Sequence, residues 1–265
     1  MILARGLGTR MREQDPAAIL TDDQRRAADT GHKALMPIHG RPFLDYVLSA
    51  IADAGIDRVG IVVAPDHESL RRRYAEQARP ARIRVSFIVQ PEPRGTADAI
   101  LGARPWTAGE PFLAMNADNL YPLDALRDLA ALNEPGLPGF DAEDLVRTSN
   151  IRRERIASFA LVETDARGYV TSIREKPQHV PHATDLQHLA ISMNVWRFDE
   201  RIFAACRDVP RSARGEFELP EAVGLAVARG VPFRVIRARG PVLDLSRRAD
   251  AADVERRLAG REPRL

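Results

Sequence analysis

The chain has 265 residues, of which 45% are hydrophobic and 29% are charged. This length and composition suit one large α/β domain with a sizeable core, and they exclude a globally disordered chain. The formal net charge is only +2, and arginines are interleaved with acidic residues along the chain, so we expect no nucleic-acid partner.

The cysteine content and the apolar runs bear on the cellular compartment. A single cysteine, Cys206, excludes an internal disulfide and is typical of a reducing compartment. No stretch approaches the roughly 20 apolar residues of a membrane span, and the residues after Met1 lack the pattern of a secretion signal. We therefore expect a cytoplasmic protein without a membrane partner.

Strand-like and helix-like segments alternate in the first half of the chain. The apolar spacing over 43–54 predicts an amphipathic helix, and the β-branched run at 58–64 is typical of a buried parallel strand. The same two patterns predict strands at 1–4, 82–90 and 111–116 and helices at 66–77, 96–103 and 123–132. The Pro- and Gly-rich residues 133–140 are expected to form a loop. This order predicts a doubly wound, mostly parallel α/β sheet.

The second half of the chain has a different pattern. Predicted strands at 156–163 and 169–175 flank a hairpin-type connection at 164–168. Further patterns predict strands at 189–198 and 232–238 and helices at 217–228 and 249–259. We expect these mixed strands to form a substrate-facing lobe on the same sheet.

The basic residues are unusual in kind. Lys and Arg total 39, and only two of them, Lys33 and Lys176, are lysines. A position that stays lysine in such a chain is expected to need a compact ammonium group rather than a planar guanidinium. The alternative is that both lysines are chance survivors.

A glycine-rich turn follows the first predicted strand, where residues 3–11 read LARGLGTRM. Backbone N–H groups in such a turn bind anions, and Arg10 adds a bidentate phosphate donor. Met11 occupies the third glycine position of a dinucleotide fingerprint, which excludes that motif, and no GK[ST] follows to make a Walker loop. An ordinary tight turn is the alternative for the glycine pair alone.

The next motif is KALMPIHGRP at residues 33–42. With the turn before it, this segment resembles the sugar-1-phosphate nucleotidylyltransferases, which combine GxGTR(M/L) with KxLxP(I/V)xx(K/R)P. That family includes glucose-1-phosphate uridylyl-, thymidylyl- and adenylyltransferases. The resemblance implies a Rossmann-like, GT-A-like fold and implies that Arg10 and Lys33 hold a triphosphate.

The resemblance continues in motifs for the base and the metal. Residues 90–99 read QPEPRGTADA, where similar enzymes contact the base with the Gln side chain and the Gly backbone, here Gln90 and Gly95. Asp118, after an apolar predicted strand, matches the family's Mg²⁺-binding Asp. Thr96 also has the alternative role of a helix cap. The nucleotide-binding residues implied are Leu3, Ala4, Gly6, Gly8, Thr9, Gln90, Gly95 and Thr96.

Further motifs imply the sugar-phosphate site. The segments REKP and RGEFEL resemble family motifs that contact sugar hydroxyls and the sugar phosphate. The residues implied are Glu175, Lys176, Asn194, Arg214 and Glu216. Asp244 is implied as the second metal ligand, although its motif lacks the family's Trp, Gly, Thr and Pro. Arg5, Phe159 and Asn194 also depart from the family pattern.

The resemblance implies a Mg²⁺-dependent enzyme that couples a nucleoside triphosphate to a sugar 1-phosphate and releases pyrophosphate. Its catalytic residues would be Arg10, Lys33, Asp118 and Lys176. Residues 1–140 would form the nucleotide-binding half and 141–265 the sugar-phosphate-binding half of one domain. A transferase for a non-sugar or cyclitol phosphate and a non-catalytic nucleotide-binding subunit remain open, as does a homo-oligomer.

The connection between Arg10 and Lys33 is longer than in the family. Residues 12–32 are rich in charge and lie between two phosphate-binding motifs. We expect a mostly helical flap that orders on nucleotide binding, with a static surface segment as the alternative.

Overall fold

The computed structural model describes residues 1–175 and 189–265. The strands in these ranges are β1 Ile2–Leu3, β2 Pro37–Ile38, β3 Arg41–Pro42, β4 Arg58–Val63, β5 Arg84–Val89, β6 Phe112–Asn116, β7 Asn119–Leu120, β8 Gly136–Phe140, β9 Ala160–Thr164, β10 Val170–Arg174, β11 Leu189–Ser192, β12 Val195–Phe198, β13 Arg234–Ala238 and β14 Leu243–Asp244. Most predicted strands therefore form within a few residues of their predicted positions.

Helices connect most of these strands. They are α1 Thr9–Arg12, α2 Asp22–Thr30, α3 Phe43–Asp53, α4 Glu68–Arg72, α5 Thr96–Gly102, α6 Arg104–Thr107, α7 Leu123–Ala131, α8 Ala142–Thr148, α9 Ile202–Asp208, α10 Leu219–Ala228 and α11 Asp250–Arg257. The residues after α4 continue as a π-helix, Arg73–Gln77. Within the described ranges, no helix has the length and apolar character needed to cross a membrane.

Ten of the described strands form one mixed sheet. Its order is β10-β9-β11-β8-β12-β6-β1-β4-β5, and β13 pairs with β8. The strands β6, β1, β4 and β5 pair in parallel, as predicted for the first half. Beyond β6 the pairing is antiparallel except between β13 and β8. The mixed strands of the second half thus extend the same sheet.

Hydrophobic side chains cover both faces of this sheet. Along β4, Ile61 and Val63 pack in a cluster with α3, α7 and α11, whereas Val62 packs in a second cluster with α5, α9 and α10. A strand buried on both faces explains the uninterrupted apolar run of β4. Because helices occupy both faces, the carboxyl ends of the parallel strands are where a ligand site can form.

The strand β8 corrects the expectation of a loop over 133–140. All five residues of β8 are buried, and the strand pairs with β11, β12 and β13. Glycine and proline normally count against an internal strand. Here close packing requires glycine, since a Cβ on Gly136 would lie 2.5 Å from the carbonyl oxygen of Arg234.

Two boundaries in the second half also differ from expectation. The strand predicted at 156–163 begins only at Ala160, because Arg153–Ser158 forms a 3-10 helix. The strand predicted at 189–198 is two strands, β11 and β12, separated at Asn194, whose φ of 57° is left-handed. An αL residue cannot continue a ladder, so the chain turns there.

Residues 12–32 pack against the rest of the fold. Thr21 and Gln24 exchange hydrogen bonds in a capping box that starts α2. Arg248, from the segment before α11, forms an ion pair with Asp29 in α2. The segment is thus partly helical and docked, and its ordering on nucleotide binding stays a prediction.

The close packing of β8 predicts the effect of a small substitution. Gly136→Ala should lower the free energy of unfolding by about 1–3 kcal/mol, because the new methyl group overlaps a backbone carbonyl that cannot rotate away. Gly102→Ala is the matched control, since no atom lies within 4 Å of its new Cβ. Urea unfolding curves measure both variants, and equal stability of Gly136→Ala and wild type would contradict the packing argument.

Candidate active site

Two neighbouring cavities lie at the carboxyl ends of β1, β4, β5 and β6. The first has a volume of about 300 Å³ and is lined by residues that follow all four strands. The second has a volume of about 220 Å³ and opens toward the second half of the chain. Both cavities are lined by Lys33, Thr96, Asn116, Asp118 and Glu216. Ligands bound in the two cavities would therefore meet at these shared residues.

The residues that the sequence singles out divide between these cavities. The first cavity is lined by Leu3, Ala4, Gly6, Gly8, Thr9, Gln90, Gly95 and Thr96. The second is lined by Arg10, Glu175, Asn194, Arg214, Glu216 and Asp244. Lys33 and Asp118 line both cavities, as do Thr96 and Glu216. Lys176 lies outside the described residues, so its part in the site stays a prediction.

The glycine-rich turn forms one wall of the first cavity. Gly8 has a φ of 63°, and a Cβ there would lie 2.2 Å from the carbonyl oxygen of Gly31. Glycine is therefore required by both conformation and packing. In the described part of the chain, the backbone N–H groups of Gly6, Leu7 and Gly8 have no hydrogen-bond acceptor. The turn thus presents free donors to an anion.

An ion pair joins the glycine-rich region to the end of β6. The Nζ atom of Lys33 lies 2.8 Å from Oδ2 of Asp118, and each side chain is 20% exposed. Asp118 follows β6, and its carbonyl oxygen accepts a hydrogen bond from the N–H of Leu245. This bond adjoins the ladder in which Asn119 of β7 pairs with Asp244 of β14. The two short strands therefore bring the two predicted metal ligands to one place.

Asp244 is a buried carboxylate whose pKa is raised, mainly by burial and also by the negative charge of Asp118. The positive charges of Arg155 and Lys33 and the side-chain hydroxyl of Ser246 lower the pKa of Asp244. The Oδ2 atom of Asp244 lies 3.0 Å from a guanidinium nitrogen of Arg155. Its Oδ1 atom is buried and lacks a hydrogen-bond partner of normal geometry in the described ranges.

This arrangement fits a hard divalent cation. An unpartnered buried carboxylate oxygen is costly, and a bound ion would satisfy it. Asp118 supplies further oxygens of the kind that Mg²⁺ prefers. The described residues contain no group of three or more His, Cys, Asp or Glu side chains suited to a metal. An ion held by two carboxylates would complete its shell with phosphate oxygens and water, as is usual for Mg²⁺.

Gln90 follows β5 and is held in one orientation. Its Nε2 donates to the carbonyl oxygen of Gly95 at 3.0 Å and to Asp98 at 2.8 Å. Both partners are acceptors, so the amide nitrogen must face them and Oε1 must face away. Gly95 has a φ of 112°, and a Cβ there would lie 2.5 Å from the backbone of Phe217. The geometry leaves the Gln90 carbonyl oxygen as an acceptor for a ligand.

The start of α5 corrects the alternative role of Thr96 as a helix cap. No side chain caps α5, whose N-cap residue is Gly95. The Thr96 hydroxyl oxygen instead accepts a hydrogen bond from the N–H of Leu219 at 2.9 Å, which joins α5 to α10. Near that junction, Arg214 pairs with Glu218 at 2.6 Å. The RGEFEL segment is thereby held at the edge of both cavities.

The structure also adds site residues that sequence reasoning missed. Arg155 contacts Asp244, and His32 and His67 line the first cavity. The position of His32 next to Lys33 was a usable signal. Arg155 had none, because it is one of 37 arginines and lies far from Asp244 in sequence.

The two histidines form a contact across the wall of the first cavity. Their ring centroids lie 4.3 Å apart in an edge-to-face arrangement. His67 is only 6% exposed, and in the described structure neither of its ring nitrogens has a hydrogen-bond partner. Burial, and then the neighbouring His32, lower the pKa of His67 to about 4. The folded protein therefore holds this ring in its neutral form.

The lowered pKa of His67 predicts acid sensitivity. The ordinary pKa is 6.5, so between pH 6.5 and 4 the unfolded chain binds a proton that the folded chain does not. Stability is then lost as the pH falls through this window, by on the order of 1–2 kcal/mol at pH 5. His67→Leu should remove that part of the loss. Unfolding curves at pH 8, where the ring is neutral in both states, and at pH 5 make the comparison; an unchanged pH dependence in the variant would refute the assignment.

Comparison with known proteins finds relatives that align with nearly the whole of this chain. The chain is 27% identical over 258 residues to UTP–glucose-1-phosphate uridylyltransferase AglF of Haloferax volcanii. This alignment covers 97% of this chain and 95% of the relative. It is 28% identical over 277 residues to a glucose-1-phosphate thymidylyltransferase of Streptomyces antibioticus, covering 100% and 67%. It is 29% identical to the bifunctional protein GlmU of Rhodopseudomonas palustris and spans 51% of that protein's length.

The fold and the family agree with these relatives. A crystal structure of UDP-glucose pyrophosphorylase complexed with UDP-glucose matches with a TM-score of 0.73 and 17% identity over 98% of both chains, which shows a shared fold. The sequence profile of the family described as Nucleotidyl transferase matches residues 1–240. The chain therefore belongs to the nucleotidyl transferase family.

Proposed function

We propose that this protein is a Mg²⁺-dependent sugar-1-phosphate nucleotidylyltransferase. It would use a nucleoside triphosphate and a sugar 1-phosphate and release pyrophosphate. The observation that carries the proposal is the pair of Lys33 and Asp118 where the two cavities meet, with the carboxylate of Asp244 in the wall of the second cavity. A cation and two carboxylates at such a junction suit a reaction that brings two phosphate groups together.

In this reaction an oxygen of the sugar phosphate attacks the α-phosphorus of the nucleotide in line. The new P–O bond forms as the bond to the β-phosphate breaks, and pyrophosphate leaves with the electron pair. Such chemistry needs positioning and charge neutralisation more than a strong base. Lys33 would neutralise phosphate charge between the cavities, Arg10 would stabilise the leaving pyrophosphate, and Lys176 would bind the sugar phosphate.

Asp118 and Asp244 would hold the Mg²⁺ ion. When bound, the ion neutralises the charge that accumulates on the two reacting phosphates. The unpartnered Oδ1 atom of Asp244 and the ion-paired carboxylate of Asp118 are the oxygens available for it. Because Lys33 pairs with Asp118, its ammonium group would turn toward a phosphate when the ion binds.

The first cavity favours a uracil or thymine base. Gln90 offers a carbonyl oxygen as acceptor, and the N–H of Gly95 has no acceptor in the described part of the chain. The imide edge of uracil or thymine presents an N–H donor beside a carbonyl acceptor, which complements this pair. The names of two relatives, a uridylyltransferase and a thymidylyltransferase, support the same choice.

The second cavity would hold the sugar phosphate. Glu175 and Glu216 offer carboxylates to sugar hydroxyls, and Asn194 and Arg214 add polar contacts around them. Glu216 lines both cavities, which places its carboxylate near the junction. A panel of substrates, with a cyclitol phosphate included, would identify the acceptor.

Pyrophosphate release tests both the function and the metal site. With the active substrate pair found from a panel, Asp118→Asn should lose most activity but keep its melting temperature, because it removes one charged metal ligand. Asp124→Asn, on the exposed face of α7 with a side chain 92% exposed, is the matched control. If no substrate pair in the panel gave pyrophosphate release, the proposed enzyme activity would be wrong. If Asp118→Asn stayed active, only the metal assignment would be wrong.

The lysine scarcity gives a second test. Lys33→Arg should lower kcat/KM roughly a hundredfold, because the planar guanidinium is bulkier than the ammonium now held 2.8 Å from Asp118. The variant should still fold, since Lys33 is part of a short turn and not of the core. Steady-state pyrophosphate release beside a melting curve measures both effects. Activity within about threefold of wild type would mean that this lysine survived by chance.

A further inference from the structure

Asp244 has to be held in place from elsewhere in the chain. It belongs to a strand of only two residues, and the sequence around it lacks the Trp, Gly, Thr and Pro of the motif it resembles. A buried carboxylate with one unpartnered oxygen does not keep a fixed orientation by itself. The contacts that fix it come from residues 149–155, about 90 positions earlier.

The backbone of Asp244 is clamped by one side chain. Asn150 donates from Nδ2 to the carbonyl oxygen of Asp244 at 2.7 Å. The N–H of Asp244 donates back to Oδ1 of Asn150 at 2.8 Å. Asn150 is itself buried, so this reciprocal pair reproduces one rung of a β-ladder and fixes where the strand end lies.

The carboxylate of Asp244 is oriented by a second side chain. Arg155 is 16% exposed and lies 3.0 Å from Oδ2 of Asp244 with one terminal nitrogen. Its other terminal nitrogen lies 3.0 Å from Oδ1 of Asp250. Asp250 is in turn fixed, because its Oδ2 accepts hydrogen bonds from the N–H groups of Ser246 and Arg247 at 2.9 and 2.7 Å. The guanidinium is thus held at both ends.

We infer that Arg155 is a positioning residue of the metal site: by engaging Oδ2 of Asp244, it leaves Oδ1 as the oxygen presented to the cation. Asn150 supports it by fixing the backbone of the same residue. This inference rests on the proposed function, in which Asp118 and Asp244 hold the ion. Arg155 lines neither of the two cavities, so it would act only through Asp244. Substitution of a residue that hydrogen-bonds to a metal ligand commonly lowers metal affinity by about 10- to 100-fold.

The alternative is an ion pair that only stabilises the fold. Arg155→Lys separates the two roles, because it keeps the positive charge but loses the planar fork that reaches Asp244 and Asp250 together. If Arg155→Lys folds normally but binds the metal more weakly, the loss reflects the missing guanidinium geometry, because the charge is unchanged. Arg153→Lys is the matched control, since Arg153 lies in the same 3-10 helix and contacts Glu143 through both terminal nitrogens at 2.6 Å, away from Asp244.

The experiment measures Mn²⁺ binding to the full chain by electron paramagnetic resonance, beside a melting curve for each variant. Arg155→Lys should raise the Kd for Mn²⁺ about tenfold or more, and Arg153→Lys should leave it unchanged. Asp250→Asn removes the charge that holds the far side of Arg155 and should also weaken Mn²⁺ binding. It serves as the test if Arg155→Lys does not fold.

The outcomes separate the inference from the function on which it rests. Mn²⁺ affinity within twofold of wild type in folded Arg155→Lys, or in Asp250→Asn if only that variant folds, would overturn the positioning role. Unchanged affinity in Asp118→Asn would instead overturn the metal assignment itself. Weaker binding in Asp118→Asn and Arg155→Lys, but not in Arg153→Lys, would support both.

Discussion

The site depends on holding two carboxylates, Asp118 and Asp244, together at the end of a buried sheet. Like charges at close range repel, and Asp244 also loses its hydration. The structure offsets this with a cation on each acid, Lys33 on Asp118 and Arg155 on Asp244. The two cations differ in their contacts. Lys33 reaches Asp118 with a compact ammonium group, whereas the guanidinium of Arg155 contacts two acids, Asp244 and Asp250, at once.

The sheet explains how distant segments reach this place. The parallel strands end at one edge, so the residues after β1, β4, β5 and β6 surround a single cavity. The mixed strands of the second half continue the sheet and bring the second cavity beside the first. The short ladder of β7 and β14 then joins Asp244 to the segment of Asp118. Under the proposed function, a nucleotide and a phosphate acceptor would bind side by side in these two cavities.

Much of the fold and part of the site could be predicted from local sequence. Apolar periodicity located most strands and helices, because burial on one or both faces leaves a repeating pattern. It failed at β8, where composition indicated a loop. Gly136 is required by its close contact with Arg234, about 100 positions away, and a local sequence pattern does not reveal such a contact. Likewise, Asn194 breaks a strand through a single αL residue that periodicity does not register.

By itself the sequence determined the α/β class and the glycine-rich turn, and it singled out Lys33, Asp118 and Asp244 as candidates for the site, because these inferences depend on short motifs with fixed spacing. Only the tertiary structure decided that Lys33 pairs with Asp118, that Gln90 presents its carbonyl oxygen, and that Arg155 and Asn150 hold Asp244. The physical reason is that orientation and charge pairing arise between residues far apart in the chain. Among 37 arginines, nothing but the folded distance distinguishes the one that holds a buried carboxylate.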